Sequence, residues 1–234
     1  MEEIVNKPAH IAIIMDGNRR WAVEHGLEKK LGHKKGEEVL ENIVRYCNKI
    51  GLEYLTVYAF STENWKRAKE EVEYLMFLLN AALDKFIKKM DSDVKIEVIG
   101  RRDNLNPKLL KKIEEIEEKT KNNKGLNFMI AFNYGGRDEL TRATQKIAAR
   151  VKSGEINIED IDEELISNSL DTAGKKDPDL VVRTSGELRT SNYLPWQITY
   201  SEFLFMDKYW PDFTEEDIDF CIKEYSSRKR RKGK

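Results

Sequence analysis

Short runs of apolar, β-branched residues alternate along the chain with longer stretches in which apolar residues recur every three or four positions. The short runs cover residues 11–15, 54–60, 94–99, 127–132, 180–183 and 203–206, and each reads as a strand. Most are near-continuously apolar, the pattern of parallel strands with helices on both faces of their sheet. Between them Val39, Leu40, Ile43, Val44 and Cys47 keep a helical stripe. So do Val72, Leu75, Met76, Leu79, Ala82, Leu83, Phe86 and Ile87. Further helices are expected over 107–122, 137–152, 158–170 and 214–226, with Pro107 opening one helix and Gly51 closing another. The alternation predicts a single α/β domain over residues 1–234, with right-handed crossovers and ligands beyond the carboxyl ends of its strands. No linker, repeat or low-complexity segment intervenes before a basic tail at 228–234.

Charge and composition remove several function classes. Lys and Arg number 41 against 42 Asp and Glu, a formal net charge of -1, so the chain lacks the overall basic field of a nucleic-acid binder. Cys47, Cys221, His10, His25 and His33 form no zinc or redox spacing, and both cysteines lie among apolar neighbours. Buried free thiols suit a reducing, cytoplasmic setting. Residues 1–8 lack the apolar run of a signal peptide, and no stretch nears the ~18 apolar residues of a membrane span. A lipid substrate would be met from the water side, with peripheral membrane contact at most.

Three clusters carry candidate chemistry. The first strand runs into Asp16-Gly17-Asn18-Arg19-Arg20-Trp21, a carboxylate at a strand end followed by glycine and a helix start. Gly17 allows close backbone approach, the free N–H groups of the next turn can hold an oxyanion, and Asp16 offers oxygen to Mg²⁺. A plain helix N-cap with two solvated arginines explains the same residues about as well. The second cluster, Ser61-Thr62-Glu63-Asn64-Trp65-Lys66-Arg67, also follows a strand. Its mix of hydroxyls, amide, indole and guanidinium suits a ligand with a charged head and an apolar body, although Ser61 could simply cap and Trp65 simply pack. The third, Arg183 to Asn192, sets two arginines among hydroxyls, as a diphosphate clamp or as an ordinary surface loop. Glu202 stands further on, either a second metal ligand or a rim carboxylate. A phosphate-binding GxxxxGK[ST] loop, a dinucleotide GxGxxG, a GxSxG elbow and an aspartate-rich DDxxD are all absent.

Together these clusters resemble the cis-prenyltransferase family, whose best-known members are undecaprenyl diphosphate synthases. The matching stretches are His10 to Ala22, Gly32-His33, Tyr58 to Trp65, Asn133-Tyr134-Gly135-Gly136-Arg137, Arg183 to Asn192, Leu194-Pro195-Trp196-Gln197 and Tyr209 to Phe213, in family order over nearly the whole chain. The resemblance implies a homodimer on a six-stranded, mostly parallel sheet with an apolar product tunnel. It implies Mg²⁺-dependent, sequential addition of isopentenyl diphosphate to an allylic diphosphate, geranylgeranyl or farnesyl, giving a long Z-polyprenyl diphosphate that would serve as a glycosyl carrier lipid precursor. By position, Asp16 matches the Mg²⁺-binding aspartate and Glu202 the second metal carboxylate. Gly17, Asn18, Arg19, Arg20, Trp21, Lys29, His33 and Arg67 fall at the allylic diphosphate. Ser61, Thr62, Glu63, Asn64 and Trp65 match a loop over the substrate, with Asn64 near proton removal. Arg183, Arg189, Thr190 and Ser191 match the isopentenyl diphosphate site.

Several positions depart from the commonest bacterial pattern. Arg19 replaces a frequent Gly, Lys29 a frequent Arg, and Leu188 a His that faces the metal in some members. Tyr193 and Pro195 also differ, and Arg19 with Leu194-Pro195-Trp196-Gln197 resembles archaeal and eukaryotic members. In the tail, Arg231-Lys232-Gly233 fits an R-x-G motif that reaches the partner's active site in the family. The expected tunnel wall is Leu75, Met76, Leu79, Ala82, Leu83 and Phe86, with Ala59, Phe128 and Ile130 opposite. Two other readings are a non-catalytic partner subunit, disfavoured by the intact Asp16, Asn64 and arginines, and a nucleotide phosphotransferase, disfavoured by the missing phosphate loop.

Overall fold

A computed structural model of the chain describes residues 6–89 and 93–228. The tail motif at 231–233 lies outside the described residues. Six strands form one sheet: β1 (His10–Ile14), β2 (Tyr54–Ser61), β3 (Lys95–Ile99), β4 (Asn127–Tyr134), β5 (Leu180–Arg183) and β6 (Glu202–Phe205). Their order is β3-β4-β2-β1-β5-β6, and every pairing is parallel, where a mostly parallel sheet was expected. The helices are α1 (Asn18–Glu24), α2 (Lys29–Lys49), α3 (Lys69–Lys89), α4 (Pro107–Thr120), α5 (Gly136–Lys152), α6 (Glu163–Ser167) and α7 (Glu215–Ser227).

The side-chain period of two sorts the strands into two faces. Ile11, Ile13, Leu55, Val57, Phe128, Ile130, Leu180 and Val182 face a core built with apolar residues of α2, α3, α4 and α7. Ala12, Ile14, Ala131 and Val181 face a smaller core closed by Tyr193, Leu194 and Ile198 of an irregular connection. The second face is therefore covered less by helix than the apolar strand runs implied. Glu139 of α5 ties this side together, accepting from Tyr134 Oη (2.6 Å), Gln197 Nε2 (3.0 Å) and the Asp171 N–H (2.9 Å).

The helix expected over 158–170 divides into a 3-10 turn (Ile158–Asp160) and α6. Asp162 is the reason: its carboxylate accepts from the Leu165 N–H at 2.8 Å and starts a new helix. The helix start expected after Gly17 is α1, whereas the first ten residues of α2 lack a strong stripe and carry no expected element. Their packing depends on small residues instead. A Cβ on Gly32 would lie 1.9 Å from the Asn18 carbonyl oxygen, so only glycine lets α2 cross α1 this closely.

A shift of register between β2 and β4 at Tyr58, Phe60 and Ser61 turns both Ala59 and Phe60 toward the helical side. There α2 and α3 stand away from the sheet and leave a space that opens at the carboxyl ends of β1, β2 and β5.

Candidate active site

That space is a cavity of about 980 Å³ with a charged mouth and an apolar interior. Its mouth is built where three strands end. After β1 the chain passes Met15 and Asp16 and turns at Gly17, whose φ of 100° favours glycine. A Cβ there would also lie 2.5 Å from the Tyr209 ring. Asp16 is no helix cap: Gly17 holds that position, and Asp16 Oδ1 accepts from the Gly17 N–H at 2.7 Å. Thr184, fully buried after β5, fixes the Asp16 backbone from both sides. Its hydroxyl accepts from the Asp16 N–H at 2.9 Å and donates to the Asp16 carbonyl at 2.7 Å. Thr184 thus acts on the site through another residue's backbone, a role that no sequence spacing announces.

Arg183, 4% exposed, donates from Nη2 to Asp16 Oδ2 at 2.8 Å and from Nη1 to Ser191 Oγ at 2.8 Å and to the Arg189 carbonyl. Arg20 reaches Ser185 Oγ at 2.5 Å and Glu187 Oε1 at 3.1 Å, lies 3.4 Å from Asp16 Oδ1 and sits over the Tyr209 ring. Burial alone would raise the Asp16 carboxyl, but the Arg183 hydrogen bond, the Gly17 N–H and the charges of Arg183 and Arg20 outweigh it and hold the group below its ordinary value. Asp16 is therefore a carboxylate at neutral pH. The loop after β5 carries Ser185, Ser191, Asn192 and Leu194 at positive φ, so its donors stand on a strained, over-determined backbone.

On the other side of the mouth lies a second cationic group. Arg67 Nη1 donates to Glu71 Oε1 at 2.8 Å, with Arg19 at 3.6 Å and His33 at 3.5 Å from the same carboxylate. Burial lowers the His33 imidazole from its usual value, against a smaller raising effect of Glu71. Asn18, Lys29, Ser61, Glu63 and Asn64 line the mouth with them. Asn64 Oδ1 accepts from the Ser61 N–H at 3.1 Å, closing the 3-10 turn Thr62–Lys66, and Glu63 takes a hydrogen bond from Asn192 at 2.8 Å. Ser61 and Asn64 thus serve local structure and the cavity at once.

Asp16 to Arg20, Lys29, His33, Ser61, Glu63, Asn64, Arg67, Arg183 and Ser191 come together around one space, although they span the chain. The other expected site residues point elsewhere. Trp21 donates to Asp212 at 2.7 Å and stacks on His25. Trp65 donates to Asn133 Oδ1 at 2.8 Å and meets Phe60 edge-on, and Thr62 contacts Glu63. The Arg189 side chain pairs with Glu187 outside the cavity wall, which Thr190 does not join either. Asn192, not among the expected site residues, does line it.

Glu202 stands apart from Asp16. It opens β6, level with Leu180 and through it with Ile11, and pairs with Arg228 at 2.8 Å. At about 3.3 Å per residue, Asp16 is roughly 16 Å further along the strand direction. One chain cannot bring the two carboxylates to one ion. Among the described residues no group of three or more His, Cys, Asp or Glu converges on a metal position. Asp16 alone, facing the cavity as a carboxylate, fits Mg²⁺, which keeps several waters and takes one or two carboxylates plus phosphate oxygens. Leu188, in the place of a possible third ligand, is 75% exposed.

The apolar interior differs in part from the expected wall. Leu75, Leu79, Ala82 and Phe86 of α3 line it, with Ala59 and Ile130 opposite. Leu40, Leu78 and Phe132 join them. Met76 and Leu83 do not reach it, and Phe128 lies behind Phe86, ring centroids 5.9 Å apart, as ordinary core.

Comparison with known proteins settles the family. The undecaprenyl diphosphate synthase family model matches residues 14–233. The chain belongs to this family of cis-prenyltransferases. It is 49% identical to the ditrans,polycis-undecaprenyl-diphosphate synthase of Micrococcus luteus, described as specific for (2E,6E)-farnesyl diphosphate, over 97% of this chain and 91% of the relative. Identity is again 49% to an isoprenyl transferase of Rhizobium meliloti, over 97% and 93%. Among solved structures, lavandulyl diphosphate synthase from Lavandula x intermedia, in complex with dimethylallyl diphosphate, superposes with a TM-score of 0.92 at 35% identity, covering 97% of this chain and 99% of that one. A probable undecaprenyl diphosphate synthase from Campylobacter jejuni gives 0.80 at 33%, covering 98% and 100%. The expected sheet and the prenyl-transferring activity are borne out. Among the described residues no helix is long and apolar enough to cross a membrane.

Proposed function

We propose that this prenyltransferase adds isopentenyl diphosphate repeatedly to farnesyl diphosphate, each step making a cis double bond, and holds the growing chain in the cavity between α2, α3 and the sheet. The observation that carries this is the pair of cationic groups on either side of Asp16 at the mouth of one apolar space. Two diphosphates need two such groups side by side. Arg19, His33 and Arg67, with the α1 N–H groups beyond Gly17, would take the allylic diphosphate; Arg183 and Ser191 would take the other, joined by Arg20, expected at the allylic group but bonded to Ser185 on this side. Donors aimed at the departing diphosphate stabilise its growing charge, and holding both substrates in line supplies much of the rate. Mg²⁺ on Asp16 and phosphate oxygens would neutralise the leaving group. Asn64 sits at the mouth but is a weak base, so a phosphate oxygen is the better proton acceptor.

Farnesyl diphosphate is favoured over geranylgeranyl diphosphate because relatives at 47–49% identity are bacterial, one of them named for that starter. Each CH₂ drawn into a dry cavity gains about 0.8 kcal/mol, so a lengthening tail is held more firmly until the wall stops it. The product would be a long polyprenyl diphosphate, a precursor of a glycosyl carrier lipid. A homodimer is supported by the open edge of β6, where Phe203 stacks on Phe205 and Tyr200 is 99% exposed. In such a dimer Glu202 would serve a metal site only across subunits. Incubation with radiolabelled isopentenyl diphosphate, each starter and Mg²⁺, followed by product sizing, tests the reading. Long products from farnesyl diphosphate support it, and no chain growth from either starter overturns it.

A further inference from the structure

Glu71 sets a carboxylate against three groups that line a mouth read as a site for anions. It stands in the first turn of α3, and groups from three separate elements converge on its carboxylate: the Arg19 guanidinium from α1, the His33 imidazole from α2, which burial holds toward its neutral form, and the Arg67 guanidinium at the end of the 3-10 turn. Only Arg67 is at hydrogen-bond distance, 2.8 Å, while Arg19 and His33 stand off at 3.6 and 3.5 Å. His33 Nε2 is buried and has no hydrogen-bond partner in this arrangement. The three donors are spaced around something larger than a carboxylate. A diphosphate offers more oxygens and more charge, enough to reach all three. Yet it cannot enter while Glu71 stays, because like charges on one cluster repel.

We propose that Glu71 is a built-in counter-anion, holding Arg19, His33 and Arg67 together in the free enzyme until the allylic diphosphate displaces it. The proposal rests on the reading of these three residues as the allylic site. Glu71 follows Arg67 by one helical turn, and α3 begins between them. Its release therefore frees the first turn of the helix that walls the cavity. Its return at the end of a cycle competes with the bound diphosphate and hastens departure. In the free enzyme it spares the cluster its own repulsion, which is the role that keeps a competing anion in a substrate site.

The alternative is that Glu71 braces Arg67 and His33 in their binding positions. The two roles predict opposite signs for one measurement. Calorimetric titration of the full chain with inorganic pyrophosphate is expected to show binding about tenfold tighter in Glu71→Gln than in the wild type, the effect of removing one competing charge. Glu71→Asp, which keeps the charge, is expected to bind as the wild type does, and so is the surface control Glu73→Gln. A Kd in Glu71→Gln that is unchanged or higher overturns the proposal. Should Glu71→Gln fail to fold by circular dichroism, Glu71→Ala takes its place in the same titration. A Kd in that variant that is unchanged or higher overturns the proposal equally. Arg67→Ala separates the two levels of the argument. If it binds pyrophosphate as well as the wild type, the assignment of the allylic site fails, whereas a failure confined to Glu71→Gln leaves that assignment standing.

Discussion

Arg183 Nη2 lies 2.8 Å from Asp16 Oδ2, so a nearly buried guanidinium joins the carboxyl ends of β5 and β1 through the acid at the centre of the site. The pair keeps Asp16 charged despite its partial burial, and it holds that charge between the two cationic groups. Replacing Asp16 with Asn preserves shape and removes charge. Condensation is expected to fall by about 10³-fold or more, in keeping with the loss of a preorganised charge contact. Stability should drop by only about 1–3 kcal/mol, since Arg183 retains Ser191 and the Arg189 carbonyl. Steady-state kinetics beside a urea melt checks both, and near-normal turnover would remove Asp16 from the chemistry.

Gly32→Ala tests the α1–α2 crossing. The new methyl would meet the Asn18 carbonyl oxygen at 1.9 Å, and neither a Cβ nor a backbone carbonyl can turn aside, so α1 must move with Gly17 and Arg19 attached. Stability is expected to fall by about 1–3 kcal/mol, with KM for the allylic substrate raised more than kcat is lowered. Equal KM values for mutant and wild type would show that the crossing does not position the mouth.

How much of this was legible beforehand follows from what each element depends on. All six strands were visible because buried parallel strands are continuous apolar runs, and their order of use placed Asp16, Ser61 and Arg183 at strand ends. The start of α2 was not, since Gly32 and Gly36 pack by being small and leave no apolar stripe. Metal ligand or rim carboxylate stays open for Glu202 in the sequence, which carries no register between β5 and β6; the pairing of Leu180 with Glu202 puts it at the opposite end of the strands from Asp16. Trp65 suits a ligand or packing equally in the sequence; in the fold its indole N–H bonds to Asn133, while the residue stays 40% exposed.

Product length should respond to Phe86 rather than Phe128. Phe86 faces the cavity, and Phe86→Ala is expected to shift products to longer chains on thin-layer chromatography. Phe128, fully buried behind it, should cost about 3–5 kcal/mol of stability as Ala and alter length little. A reversal of the two outcomes would move the wall back one layer.

His10 gives the fold a sensitivity to acid. Its Nε2 is 2.7 Å from Thr56 Oγ1 and its Nδ1 is 2.7 Å from the Lys176 carbonyl, and burial lowers its pKa to about 4 from about 6.5 when unfolded. Between those values the unfolded chain binds a proton that the folded chain refuses, so stability falls as pH drops from about 6.5 to about 4. The full loss is about 3 kcal/mol, and below the folded pKa this contribution changes no further. Urea midpoints across this window should slope downward in the wild type and less so in His10→Asn. Parallel slopes would assign the acid sensitivity to the carboxylates instead.

One helix, α3, carries Glu71 in its first turn and Phe86 near the other end of the cavity. They stand fifteen residue steps apart along the helix, a span of about 22 Å at 1.5 Å per residue. The head-group end and the stopping end of the cavity are thus graduations on a single rigid ruler. Adding or deleting whole turns between them rescales the distance in steps of about 5.4 Å while each end keeps its facing. Changes of product size can therefore arise by resetting α3 alone, with the diphosphate chemistry at Asp16 left as it is.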